Sequence, residues 1–145
     1  MFRQKLHYLI EQASILVVDD SVETLKIIGE LLKKEFAIKI ATNGETALKI
    51  AQSHTPPDLI LLDVMLPDIN GYEVCKSLKK DPATESIPVI FLTAKNEIED
   101  EARGLGVGGA DYIVKPVYPA ILMARIKTHL LMKKMYDQLV QHRCF

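Results

Sequence analysis

Residues 14–20 read Ser-Ile-Leu-Val-Val-Asp-Asp. An unbroken apolar run ends abruptly in two carboxylates. A continuous run, without alternation, is the pattern of a strand covered on both faces, as in parallel sheets. Three further runs share the design: Leu59–Leu62 stops at Asp63, Val89–Leu92 at Thr93, and Ile113–Val114 at Lys115. As parallel strands of one sheet, these runs would have their carboxyl ends on one edge. In open α/β sheets that edge binds ligands, where the strand order reverses. Three carboxylates, a hydroxyl and an ammonium would then meet in one crevice. Such a set can hold a hard cation and a phosphoryl group.

The segments between the runs read as helices. Ser21 can cap the first, whose Leu25, Ile28, Leu31 and Leu32 form one apolar stripe. Phe36–Ala41 alternates more and ends at Asn43-Gly44, a turn signal. Residues 45–53 read as helix, broken by His54-Thr55-Pro56-Pro57. A loop with Pro67 and Gly71 leads to a helix over 72–80. A polar, acidic segment from Lys95 to Arg103 begins the fourth helix, inside which Gly104 and Gly106 fall. Each glycine there costs about 1 kcal/mol relative to Ala, so that helix should be soft. Asp111–Val114 is the fifth strand, and a long final helix follows from Tyr118. Residues 2–11 read as a short helix outside the pattern. Strand–helix alternation with short links predicts an α/β fold, a parallel sheet with helices on both faces.

A chain of 145 residues with 48 % hydrophobic residues can bury a proper core as one domain. Its 18 basic and 19 acidic residues leave a net charge of −1, so no basic excess points to nucleic acid or an anionic membrane. Cys75 and Cys144 lie far apart and suit neither a metal spacing nor a disulfide framework; free thiols in a reducing compartment are expected. No apolar stretch reaches the ~20 residues of a membrane span. The basic start, Met1-Phe2-Arg3-Gln4-Lys5, is followed by a stretch cut by His7 and Glu11-Gln12, which is not a signal peptide. The expected location is the cytoplasm.

A carboxylate at the end of a buried strand, such as Asp63, can attack phosphorus and form an aspartyl phosphate. That attack brings an anion to an anion and needs positive charge. Mg²⁺ supplies it, usually on one or two protein carboxylates, and Asp19 and Asp20 can provide them. Lys115 adds a point charge for phosphoryl oxygens, and Thr93 a hydroxyl donor. Each residue alone has an ordinary explanation: a helix start, a loop cap, a solvated lysine, strand-end packing. Their coincidence at four strand ends favours the chemistry. Asp58 precedes its strand, so it belongs at the opposite edge with a structural role. No G-x-x-x-x-G-K-[ST] loop is present, no G-x-G-x-x-G follows the first strand, and no Ser elbow or Cys–His pair appears.

The segments I-L-V-V-D-D-S (15–21), D-V-M-L-P-D-I-N-G-Y-E-V-C (63–75), P-V-I-F-L-T-A (88–94) and G-G-A-D-Y-I-V-K-P (108–116) together resemble a two-component response-regulator receiver domain. The resemblance implies a flavodoxin-like five-stranded sheet in the order 2-1-3-4-5, an order the family shares with other doubly wound folds. It implies Asp63 as phosphoacceptor, with Mg²⁺ held by Asp19, Asp20, Asp63 and the Met65 carbonyl. Thr93 and Tyr112 resemble the switch pair. Lys115 resembles the phosphate-binding lysine, with a cis bond to Pro116, and Ala94 is small enough to give access to the phosphate. Val117 departs from the family's frequent Phe.

Residues 119–130 resemble receivers that precede cyclic-di-GMP synthesising or degrading domains. The expected division is a helical extension over 1–13, a receiver over 14–131, and a continuation of the last helix over 132–145 that leads to an output domain, with cyclic-di-GMP turnover as its suggested activity. The implied partner is a sensor histidine kinase or a phosphotransfer protein. A homodimer is expected through the face of the fourth helix, fifth strand and fifth helix, with no direct contact to nucleic acid or membrane. The expected role is that of a phosphoacceptor, not an enzyme with a separate substrate. A haloacid-dehalogenase-type phosphatase is one alternative, but it needs Asp-x-Asp after the first strand, where this chain has Asp19-Asp20-Ser21. A degenerate receiver that only binds is another, and the intact five-residue set argues against it.

Overall fold

The apolar runs pair as the main-chain pattern requires. In the computed structural model, β1 (Ser14–Val18), β2 (Ala37–Ala41), β3 (Leu59–Leu62), β4 (Val89–Thr93) and β5 (Asp111–Val114) form one parallel sheet in the order β2-β1-β3-β4-β5. The structure describes residue 10, residues 12–94 and residues 98–143. Most of the helix expected over 2–11 therefore lies outside the described residues, as do Lys95 and Cys144. The helices are α1 (Val22–Leu32), α2 (Gly44–Ala51), α3 (Gly71–Lys80), α4 (Ile98–Gly106) and α5 (Pro119–Arg143).

Alternation along the strands divides the core into two layers. Ile15, Val17, Leu59, Leu61, Ile90 and Leu92 face α1 and α5, meeting Leu25, Ile28, Leu32, Leu122, Ile126 and Leu130. Leu16, Val18, Ile60, Leu62, Val89 and Phe91 face the other way, onto Ala47, Tyr72, Val74, Cys75 and Leu78 of α2 and α3. Leu16, Leu59 and Leu62 are fully buried, and each such side chain contributes about 1.5–3 kcal/mol relative to exposure. Burial of Cys75 pushes its thiol up to about 11, so it is a packing residue and not a nucleophile.

Caps start the helices where the sequence places short polar side chains. Ser21 Oγ accepts from the Thr24 amide at 3.3 Å, and Asn70 Oδ1 from the Glu73 amide at 3.0 Å. At α2, Asn43 Oδ1 accepts from the Thr46 amide at 2.8 Å. The first two amides of α2 are taken by Asp68 from a distant loop, through Gly44 N at 2.8 Å and Glu45 N at 2.9 Å. Together these acceptors satisfy amides that a helix start leaves without intrahelical partners.

The last helix is fastened to the edge where the strands begin. Lys127 pairs with Glu35 at 3.0 Å and Lys134 with Asp58 at 3.4 Å. Arg125 and His129 both reach Asp111 at 3.1 Å. Burial works to raise the Asp111 carboxyl, but His129, the Tyr112 amide and Arg125 outweigh it and hold it below its usual value. Asp58 also accepts from the Ser14 amide at 2.8 Å, which bears out its structural reading. Beyond Leu130 the helix leaves the core, and Met132, Met135, Tyr136 and Leu139 are exposed. Among the described residues, no helix is long and apolar enough to cross a membrane.

Candidate functional site

Sheet register brings the sequence-chosen residues together. Val18 pairs with Leu62, so Asp19 and Asp63 follow side by side, and the Asp63 amide donates to the Val18 carbonyl at 3.0 Å. The Lys115 amide likewise donates to the Thr93 carbonyl at 2.8 Å. The hydrogen-bond ladder therefore continues into the site and holds its backbone.

Asp19 and Asp63 are each under a tenth exposed, and they are held in the same manner. One oxygen of each takes a nearby amide: Asp19 Oδ1 from Ser21 at 2.9 Å, Asp63 Oδ1 from Met65 at 3.0 Å. The other oxygen of each faces the Lys115 ammonium, at 2.7 Å for Asp19 and 3.1 Å for Asp63. Burial acts to lower the lysine's pKa, but the two carboxylates win and hold it above its ordinary value. Asp20 is exposed, and oxygens of Asp19, Asp20 and Asp63 lie within 4.8 Å of one another. Three carboxylates against one ammonium leave a formal charge of −2. Clustered hard oxygen donors with that excess fit a small divalent cation such as Mg²⁺.

Thr93, the last residue of β4, is fully buried, and Ala94 after it is exposed. The Lys115–Pro116 bond is cis, as the resemblance implies. The loop after Asp63 turns back sharply: the Gly71 amide donates to the Val64 carbonyl at 2.8 Å. A Cβ at Gly71 would stand 2.4 Å from the Asp63 carbonyl oxygen, so this return requires glycine.

The ring of Tyr112, the other member of the expected switch pair, lies inside, 8 % exposed, with its centroid 6.0 Å from that of Phe91. The room comes from α4. A Cβ at Gly104 would meet Phe91 at 3.0 Å and Tyr112 at 3.1 Å, so the glycine lets the helix backbone lie on the rings. Burial first, then the neighbouring Tyr72, pushes the Tyr112 phenol well above the ordinary tyrosine range.

With this geometry in view, the chain's relatives can be compared. The model of the response regulator receiver domain matches residues 15–127. The chain belongs to that family. The receiver is 42 % identical to a probable cyclic di-GMP phosphodiesterase of Vibrio cholerae, over 97 % of this chain and 31 % of the relative. It is 39 % identical to the response regulator PleD of Caulobacter vibrioides, over 89 % of this chain and 28 % of the relative. Among solved structures, the BeF3-activated receiver domain of DrrB, a Thermotoga maritima protein, superposes with a TM-score of 0.73 at 38 % identity, covering 82 % of this chain and 97 % of that one. A CheY-like receiver from Methanospirillum hungatei gives 0.80 at 27 % identity, covering 86 % and 98 %. The chain thus spans about three tenths of the length of the two curated relatives.

Two residues beside the site, both within the quoted segment 63–75, were given no role by the sequence reading. Asp68 closes the start of α2 from the loop that follows Asp63, and Tyr72 lies between that loop, Phe91 and α4. Both act through tertiary partners that spacing does not reveal.

Proposed function

We propose that the receiver takes a phosphoryl group onto Asp63 from a phosphohistidine of a sensor histidine kinase or of a phosphotransfer protein. The observation that carries this reading is the Lys115 bridge, one ammonium on two buried carboxylates with a third beside them. An Asp63 oxygen attacks phosphorus, the P–N bond breaks, and its electron pair stays on the imidazole. Asp19, Asp20, Asp63 and the Met65 carbonyl would hold Mg²⁺, which supplies the charge that lets the two anions meet. Lys115 stays protonated and faces the phosphoryl oxygens. Thr93 donates to them from its hydroxyl, and the small Ala94 leaves the approach open. The domain thereby assists its own phosphorylation and dephosphorylation.

Phosphate on Asp63 would draw Thr93 toward it, and Tyr112 would hold its inward position. The face of α4, β5 and α5 would change most, and a second copy would pair there. The exposed stripe of Met132, Met135 and Leu139 continues that face along α5. The greater length of the relatives supports an output domain beyond the helix, and their names support cyclic-di-GMP turnover as its activity.

Acetyl phosphate with Mg²⁺ tests the acceptor. Intact mass should show one phosphate on the wild type and none on Asp63→Asn. Equal labelling of both would overturn the assignment.

A further inference from the structure

Tyr72 takes no part in the chemistry above, yet it is the second residue of α3 and only 2 % exposed. Its ring meets Phe91 edge-on at 5.2 Å between centroids, and Phe91 in turn packs against Tyr112. From α4, the Arg103 guanidinium carbon lies 4.7 Å from the Tyr72 ring centroid. The Tyr72 hydroxyl donates to the Asp100 carbonyl in the first half of α4 at 2.9 Å. Tyr112, Phe91 and Tyr72 thus pack in series, and the Tyr72 hydroxyl ends that series on the backbone of α4. Gly104 adds a second contact, since its missing side chain seats the same helix on Phe91 and Tyr112.

We propose that Tyr72 is the positioning residue that couples Tyr112 to α4, so that the seating of this helix registers whether the Tyr112 ring is inside. With the ring inside, Phe91 packs against both Tyr72 and Tyr112, and α4 is held from Asp100 to Gly104. With the ring outside, Phe91 and Gly104 lose a packing surface together. The loop carrying Asp63 ends at Gly71, next to Tyr72, so the same side chain joins the acceptor loop, the aromatic switch and α4. This inference rests on the reading of Tyr112 as a partner of phosphorylated Asp63.

The experiment compares the wild type with Tyr72→Phe and Tyr112→Phe, which keep the rings and remove one hydroxyl each. Without phosphodonor, amide exchange over 98–106 should become roughly three- to tenfold faster in Tyr72→Phe, the worth of one buried hydrogen bond. Tyr112→Phe keeps the Tyr72–Asp100 bond and should change it less. With beryllofluoride and Mg²⁺, the response of 98–106 seen in the wild type should be lost in Tyr72→Phe, while acetyl phosphate labels that variant fully. Unchanged exchange over 98–106, or acceleration spread equally through α3 and β3, would overturn the proposal. Failure of the wild type to be labelled would overturn the phosphoacceptor reading instead, and the comparison without phosphodonor still judges Tyr72.

Discussion

Lys115 follows β5 and Asp19 follows β1, with β4 and β3 between them, yet their charged atoms are 2.7 Å apart. The lysine passes Asp63 on the way, so one ammonium organises both sides of the point where the strand order reverses. Removing it leaves two buried carboxylates without their cation. Lys115→Ala should therefore destabilise the protein by about 2–4 kcal/mol in denaturant unfolding without Mg²⁺, given what breaking a buried pair costs and that the lysine side chain is a quarter exposed. Mg²⁺ should restore part of the loss. An unchanged unfolding midpoint would mean that the bridge is not held in solution.

Divalent cations should stabilise the wild type by mass action. At a hundredfold excess over Kd the gain is about 2.7 kcal/mol, or on the order of 5–10 °C in Tm for a domain of this size. Asp20→Ala should remove most of that rise and also raise the Tm measured in chelator, because like charges in one cluster repel. Thermal scans with and without Mg²⁺ decide it, and a full Mg²⁺ response in Asp20→Ala would place the ion elsewhere.

Asp68 offers a test by pH. Its two bonds to the amides of Gly44 and Glu45 hold its carboxyl at about 2, below the ordinary aspartate value. A depressed pKa contributes stability above the unfolded value, and that contribution disappears as pH falls toward the folded one. The difference in stability between wild type and Asp68→Asn should thus be constant near neutrality and shrink between about pH 4 and pH 2. Acid titration of both proteins by circular dichroism checks this; a difference that persists at pH 2 would show that charge is not what matters there.

The two glycines of α4 should behave in opposite ways. A methyl group at Gly106 meets nothing within 4 Å, so Gly106→Ala should stabilise the protein by about 0.5–1 kcal/mol. At Gly104 the same change presses on Phe91 and Tyr112 and should cost stability. Chemical denaturation separates them.

The lifetime of the phosphate is the last expectation. In-line hydrolysis needs an oriented water. Met65, two residues after Asp63, is 60 % exposed and has no strong hydrogen-bonding group in its side chain. Its counterpart two residues after Thr93 is Lys95, which lies outside the described residues. Self-dephosphorylation should be slow, and faster in a variant carrying Met65→Asn with Lys95→Glu. Phosphate-release assays on both proteins measure it, and equal rates would show that these positions do not set the lifetime.

What was legible in the sequence was whatever depends on the main-chain period. The runs before Asp19, Asp63 and Thr93 are continuous because both faces of their strands are covered, whereas the two-residue run before Lys115 lies on the edge strand with Val114 exposed; all four stop where the sheet ends. Aligning their ends brought the site residues to one edge, while the strand order came from the resemblance of the four segments to receiver domains. Ser21 was visible as a cap because its partner is three residues away. Asp68 was not, because its partners are 23 and 24 residues away on another element. Gly104 looked like a defect in a helix, since a sequence shows the missing side chain but not the rings that fill its place. Tyr72 entered only as the first residue of a helix, because its partners lie on β4 and α4.

The anchoring of α5 has a mechanical consequence. Its grip is at the strand-start edge, through Glu35, Asp58 and Asp111, while the candidate phosphorylation site is at the other end of the strands. Asp111 is also the residue before Tyr112, and its carboxylate holds the Tyr112 amide at 2.9 Å. Beyond the Lys134–Asp58 pair, residues 135–143 project as a rod of about 13 Å, at 1.5 Å per residue. A tilt of about 5° at the anchor would sweep the far end of that rod through roughly 1 Å. A displacement of β5 too small to disturb the core could in this way reach whatever follows the helix as a change of position comparable to a bond length.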